Sequence, residues 1–218
     1  MSNISSAIIL HLDESCLGNG RGGDNPGGGG GLVEVRKAGE IVRRDFAIHA
    51  PATTNNRMAL ASALKALELL GRGGAERPIL MVSDSQYLIK GMREWAPGWA
   101  ARNWTRKAGP IENLLLWQSL WVAAGQRTVR WTWVRGHDRH PKNEYANDLA
   151  VAAAGAQSSP NGLVPSGFGE WLVGERGRKR YLNYDPDRAY EVLEEHLREG
   201  RDVPLNLDRM EAARVAGA

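Results

Sequence analysis

The sequence predicts an α/β domain, with an antiparallel meander of three strands followed by two more strands that alternate with helices. Three observations carry this. Ala7-Ile8-Ile9-Leu10-His11-Leu12 is a short, nearly continuous apolar run, as expected of a strand buried on both faces. Pro78-Ile79-Leu80-Met81-Val82-Ser83 repeats that design. Between and after these runs, apolar residues recur at helical spacing. Each of the two buried runs also ends in an acid, Asp13 and Asp84. A buried carboxylate is costly unless a cation or donors meet it. One such acid reads as the start of a turn, whereas two delivered by strands of the same design suggest carboxylates converging on a metal.

Composition bounds the possibilities. The 218 residues suffice for one ordinary domain and an appendage, and a hydrophobic fraction of 42% is globular. A single cysteine, Cys16, excludes an internal disulfide and fits a reducing compartment. No run of about 18 apolar residues occurs, so a soluble, cytoplasmic protein is expected. Charge is uneven: residues 1–154 hold 19 basic against 14 acidic side chains, a balance of +5, and seven of the eight tryptophans. Residues 155–218 hold 9 against 11. A mildly basic, Trp-rich domain points toward nucleic acid.

In chain order, Gly18 to Gly31 reads as a long flexible connection without a P-loop pattern. Leu32–Lys37 and Ile41–Ile48 then form a hairpin about Ala38-Gly39-Glu40, completing an antiparallel meander with the first strand. Thr54 or Asn55 is the expected N-cap of a helix whose core stripe includes Leu60, Leu64 and Leu67. A second helix opens near Ser85. Trp95 to Lys107 interleaves three tryptophans with three cations, either packing on the core or handling a duplex backbone. Pro110 is expected at the first position of the next helix, carrying Leu114, Leu115, Trp117, Leu120 and Trp121. Val129–Val134 is the fifth strand, followed by an imidazole-rich loop and a helix from about Asn143 to Ala154.

Four stretches together resemble bacterial type 1 ribonuclease H: Asp13 with Ser15-Cys16-Leu17-Gly18-Asn19; Thr53 to Met58; Ser83-Asp84-Ser85-Gln86-Tyr87; and Trp133 to His137 with His140-Pro141 and Asn143-Glu144. The resemblance covers roughly residues 5–154 and implies that family's five-stranded mixed sheet flanked by helices. It implies hydrolysis of the RNA strand of RNA·DNA hybrids with two Mg²⁺ or Mn²⁺ ions. On it, Asp13 and Asp84 match metal-binding carboxylates and His137 the general base or product-release residue. Asn19, Arg36, Thr54, Asn55, Gln86 and Trp104 fall where the family touches the hybrid, whose 2′-hydroxyls distinguish it from DNA.

Two positions depart from the family pattern. Ala59 stands where a metal-binding Glu is usual, and Asn147 where the last Asp is usual, with Asp148 one position later. An Asn carbonyl can coordinate a hard cation but brings no charge, so Asn147 is kept among the catalytic and metal-binding candidates. For Ala59 three readings stand open: an engineered knock-out, a natural variant compensated by an acid such as Glu14, or a silent hybrid-binding module. Ala59→Glu is expected to raise Mg²⁺-dependent turnover strongly. The domain boundary is drawn at 1–154, with 155–218 as an extension comprising a linker, the basic cluster Gly177-Arg178-Lys179-Arg180 and an amphipathic helix capped by Asp185. The cluster reads as a solvated turn or as a second nucleic-acid contact. The helix either docks on the domain or mediates association; a monomer is expected, and no membrane partner.

Overall fold

The computed structural model describes residues 6–18, 25–71, 77–136 and 140–201. Strands β1 (Ile8–Cys16), β2 (Gly27–Lys37), β3 (Glu40–Ala50), β4 (Ile79–Ser83), β5 (Val129–Trp133) and β6 (Val164–Pro165) form one sheet in the order β5-β4-β1-β2-β3-β6. β1 runs parallel to β4 and β4 to β5, while β1–β2–β3 is the expected antiparallel meander. The short β6 pairs antiparallel with β3 and makes a sixth strand that the five-stranded expectation lacked.

Successive residues of β1 point to opposite faces. Ile8, Leu10 and Leu12 join the larger apolar core with α1 (Asn55–Leu69), α2 (Gln86–Lys90), α3 (Ala96–Ala100) and α4 (Leu114–Gly125). Ala7 and Ile9 face α7 (Pro186–Arg198). On that same side α5 (Pro141–Ala156) crosses β1 and β2, and α6 (Phe168–Gly177) packs beside α5. A π-helical turn, Gly91–Trp95, joins α2 to α3. It lets Gly91 lie against Trp117, where a Cβ would stand 1.9 Å from the indole.

The largest correction concerns the glycines. Gly27–Gly31 is not a flexible connection but the first half of β2, buried throughout and paired with Cys16 to Leu12. The absence of side chains brings α5 down onto the sheet: a Cβ at Gly28 would stand 2.1 Å from the Ala150 carbonyl oxygen, and one at Gly30 2.3 Å from that of Ala146. Both obstacles are helix backbone and cannot swing aside. Gly28→Ala should therefore destabilise the protein by about 1–3 kcal/mol, as overpacking does. Thermal unfolding should register this as a lowered midpoint, roughly 2–4 °C for each kcal/mol.

Three smaller corrections follow from local packing. α4 starts at Leu114, not at Pro110, because Asn113 adopts φ 55° and its side chain donates to the Tyr87 hydroxyl at 3.3 Å. Leu115 is exposed. The apolar face that the spacing of α7 predicts, Ala189, Val192, Leu193, His196 and Leu197, is buried at Leu193 and Leu197 but turned so that Tyr190 and Glu194 complete it. The Tyr190 hydroxyl donates to the Ala7 carbonyl at 2.8 Å and accepts from the Arg36 amide at 3.0 Å, so the extension is docked on the sheet.

A buried ionic cluster fixes α5 against both β2 and α7. The fully buried Glu34 receives Lys142 Nζ at 2.7 Å, Arg43 Nε at 2.9 Å and His11 Nε2 at 3.2 Å. Burial alone would raise its pKa, but Lys142, His11 and Arg43 outweigh that and hold it near 2. Lys142 also donates to the Pro186 carbonyl, and Arg43 to Asp187, both at the start of α7. Breaking such a cluster from one side leaves an uncompensated buried charge, the costly case.

Candidate active site

Leu12 pairs with Ser83 across parallel strands, so Asp13 and Asp84 follow at adjacent chain positions on neighbouring strand ends. Asp13 shares the face of Ile9 and His11 and is buried at 4% exposure. Glu14, the next residue, points to the opposite face, toward α1, and is partly exposed. Ligand oxygens of Asp13, Glu14 and Asp84 lie within 4.8 Å of one another. The Glu14 amide donates to Asp13 Oδ1 at 2.7 Å, while Asp13 Oδ2 is buried without a hydrogen-bond partner among the described residues.

Crowding of like charges raises the proton affinity of the group. Burial first, then the Asp84 charge, pushes Asp13 up to about 8. Glu14 is raised well above its ordinary value by burial and by Asp13 and Asp84. Three carboxylates that repel one another around an unpartnered oxygen are the donor set for a hard divalent cation, and the residues fit one.

The surrounding elements hold these groups in place. Trp133 Nε1 donates to the Asp84 carbonyl at 2.8 Å. Gly136 lies against the Asp84 carboxylate so closely that a Cβ would stand 2.1 Å from Oδ2. Asn143 Nδ2 donates to the Leu12 carbonyl at 3.3 Å, and Asn147 follows one turn later on the same side of α5. Ser85 caps α2, accepting from the Leu88 amide at 3.4 Å.

The other candidates are distributed around this centre. Thr54 is the N-cap of α1, accepting from the Arg57 amide at 3.3 Å, and Asn55 begins the helix with a buried Oδ1 that has no partner among the described residues. Gln86 is exposed at the start of α2. Trp104 has φ 59°, with its amide on the Trp99 carbonyl at 2.7 Å and its ring packed on the core. A cavity of about 620 Å³ opens beside it, lined by Tyr87, Trp95, Trp99, Arg102 and Arg106 among others, but not by Trp104 itself.

Arg36 does not join the site. The antiparallel register puts it at the other end of the sheet from Asp13, where its guanidinium meets Glu194 at 3.0 Å and Glu191 at 3.5 Å. Asn19 and His137 lie outside the described residues. Ala59 is 1% exposed and belongs to the apolar core. Sequence reasoning missed Gly136, whose role rests on a contact made only in the fold. It also missed Trp171, whose Nε1 donates to Asp148 Oδ2 at 2.7 Å.

A mixed sheet whose central parallel strands deliver clustered carboxylates, closed by a helix after the last strand, is the architecture of the RNase H family. The chain belongs to that family, whose model, RNase H, matches residues 5–155. It is 41% identical over 150 residues to the ribonuclease H of Pectobacterium carotovorum, covering 68% of this chain and 90% of that one. The ribonuclease H of Thiobacillus denitrificans is likewise 41% identical over 144 residues, covering 66% of this chain and 90% of the relative. Among solved structures, LC9-RNase H1, described as a type 1 RNase H with the type 2 active-site motif, is 51% identical with a TM-score of 0.71, over 77% of this chain and 81% of that chain. The PFV RNase H domain, at 18% identity and a TM-score of 0.59, over 70% of this chain and 96% of that one, shares the fold.

Proposed function

We propose that this protein is an endonuclease that hydrolyses the RNA strand of RNA·DNA hybrids. The single observation that carries the reading is the meeting of Asp13, Glu14 and Asp84 at the ends of two adjacent parallel strands. With Asn147, these residues would hold Mg²⁺ or Mn²⁺. Bound there, the divalent ions would activate water and stabilise the leaving oxygen of an in-line displacement.

The chain's own residues do the rest. Asp13, buried with one oxygen that has no partner among the described residues, would offer that oxygen as a fixed ligand to a divalent ion. Gly136 and Trp133 keep the Asp84 carboxylate and backbone in register with it. Glu14 supplies the third negative charge that Ala59 does not. A relative at 51% identity that combines a type 1 protein with the type 2 active-site motif supports a rearranged acid set of this kind. His137 would move the proton, Asn19, Thr54, Asn55 and Gln86 would read the hybrid's sugars and phosphates, and the aromatic, basic cavity at Arg102 and Arg106 would take a phosphate backbone. The family match ends at residue 155, which supports a catalytic domain of residues 1–154 and a separate extension.

The test uses labelled RNA·DNA hybrid, RNA duplex and DNA duplex, each with Mg²⁺, Mn²⁺ or chelator. Cleavage confined to the RNA of the hybrid and abolished by chelator is expected. Tight hybrid binding without cleavage in either metal would instead identify a silent binding module.

A further inference from the structure

The extension reaches the candidate active site from the far side of α5. A cleft of about 310 Å³ is lined by Glu144, Asn147 and Asp148 of α5 together with Trp171 of α6 and Arg180. Asn147, a metal-binding candidate, thus lines a cleft that the extension closes. The extension engages the two acids that flank Asn147: Trp171 donates to Asp148 at 2.7 Å, and Arg180 pairs with Glu144. Asp148 is also near enough to the Asp13 carboxylate to act on it electrostatically.

The turn after α6 is tightly built. Lys179 and Tyr181 adopt φ 63° and 53°, conformations that L-residues adopt only where the surroundings impose them. The buried Glu175 pairs with both Arg178 and Arg180 at 2.5 Å, Arg176 donates to the Tyr184 carbonyl at 2.7 Å, and Tyr181 stacks on Trp171 at 6.1 Å between centroids. Among the described residues Arg176, Arg178, Lys179 and Arg180 meet the carboxylates of Glu175, Glu144 and Asp185, which leaves the turn one positive charge over. The Arg178 side chain is 74% exposed, and Lys179 is exposed without an ion-pair partner among the described residues.

We propose that this turn is part of the substrate channel, with Arg178 and Lys179 contacting phosphates of the RNA strand beside Asn147. The proposal rests on the hybrid-nuclease reading. The strand cut is the one whose phosphate lies at Asp13 and Asp84, and a nucleic-acid strand carries a charge about every 3.4 Å along its axis. The next phosphates of that same strand are what a cationic turn across the cleft would meet. Arg180, by pairing with Glu144, removes a like charge that would repel them.

The test uses the full chain with Arg178→Gln and Lys179→Asn combined, and Lys179→Asn alone. Asn tolerates the left-handed backbone at 179, so Lys179→Asn alone should leave the thermal midpoint in place. The double variant also gives up the Arg178–Glu175 pair, and its midpoint is measured beside its binding so that a folding loss is told apart from a lost contact. Binding is measured across a salt series with Ca²⁺ in place of Mg²⁺. One hybrid has RNA running past the turn, and a truncated one has RNA ending at the scissile phosphate. On the long hybrid the double variant should bind on the order of tenfold more weakly at low salt, and its log–log salt slope should fall by about 2, the single variant's by about 1. The truncated hybrid should bind all forms alike. An unchanged slope on the long hybrid, or an equal loss on both hybrids, overturns the proposal. If the unmodified protein binds hybrid but never cleaves it, the catalytic reading fails and the slopes still decide the turn's role. If it binds no hybrid, both fall.

Discussion

Glu14→Gln should lower Mg²⁺-dependent cleavage of a defined hybrid by on the order of 10²- to 10³-fold, the usual cost of removing one preorganised charge-stabilising group. Gln keeps the length of the side chain and a carbonyl oxygen but deletes the charge. The remaining set, Asp13, Asp84 and Asn147, would then offer two formal negative charges to two dications. Glu14 reaches the cluster from the face of the sheet that α1 covers, the face on which Ala59 lies. The expectation that Ala59→Glu alone would raise turnover is thereby replaced by another. A new carboxylate at a position 1% exposed, near three acids already repelling one another, should cost stability and gain no rate. Combined with Glu14→Ala, however, Ala59→Glu should recover part of the lost activity by delivering the carboxylate from the helix instead of the strand. Single-turnover rates for the three variants decide the matter. A Glu14→Gln rate within about twofold of the unmodified protein would remove Glu14 from the site and make Asp148 the next residue to examine.

The parts legible in the sequence are those fixed by local pattern. Two buried runs ending in acids gave away β1, β4 and the pairing of Asp13 with Asp84, because parallel strands of one sheet bring like ends together. Thr54 was legible as a cap because capping is a matter of a few neighbouring residues. The glycine run was misread because glycine normally favours turns and weakens strands. What requires glycine at Gly28 and Gly30 is α5, more than a hundred residues away, whose backbone occupies the space that side chains would fill, while Thr53, Ser62 and Phe46 crowd Gly27, Gly29 and Gly31. Arg36 was misplaced for a related reason. A loop in place of those five strand residues gave no register, whereas the true pairing of Ile8 with Val35 puts Arg36 at the far end of the sheet. Glu14 was legible as an acid that could compensate for Ala59, but not as one that must meet Asp13 and Asp84. Its membership of the cluster depends on the strand end leaving both faces open to one point. The tie of Trp171 to Asp148 joins the extension to the catalytic domain, and no spacing in the sequence announces it.

Asp13→Asn should abolish cleavage and at the same time make the metal-free protein more stable at alkaline pH. The catalytic half follows from the position of Asp13, which is the most buried of the three acids and carries the unpartnered oxygen. Replacing it discards the charge and one of the two carboxylate oxygens that would hold a divalent ion. The stability half follows from its proton affinity. Burial and Asp84 raise Asp13 to about 8 in the folded protein, against an ordinary value of 3.8. Between those values the folded state binds more protons than the unfolded state, so stability contributed by this group falls as pH rises from about 4 to about 8. Removing the charge removes that loss, and Asn can still accept from the Glu14 amide that Asp13 now engages. Thermal midpoints measured in chelator should decline with pH over this window for the unmodified protein and decline less for Asp13→Asn, with the two converging near pH 4. Adding Mg²⁺ should stabilise the unmodified protein more than the variant, because a ligand that binds only the folded state shifts the equilibrium toward it. A variant that retains most of its cleavage rate would show that the metal site is misplaced. Parallel pH curves for the two forms would show that the carboxylates are not repelling one another in the metal-free fold.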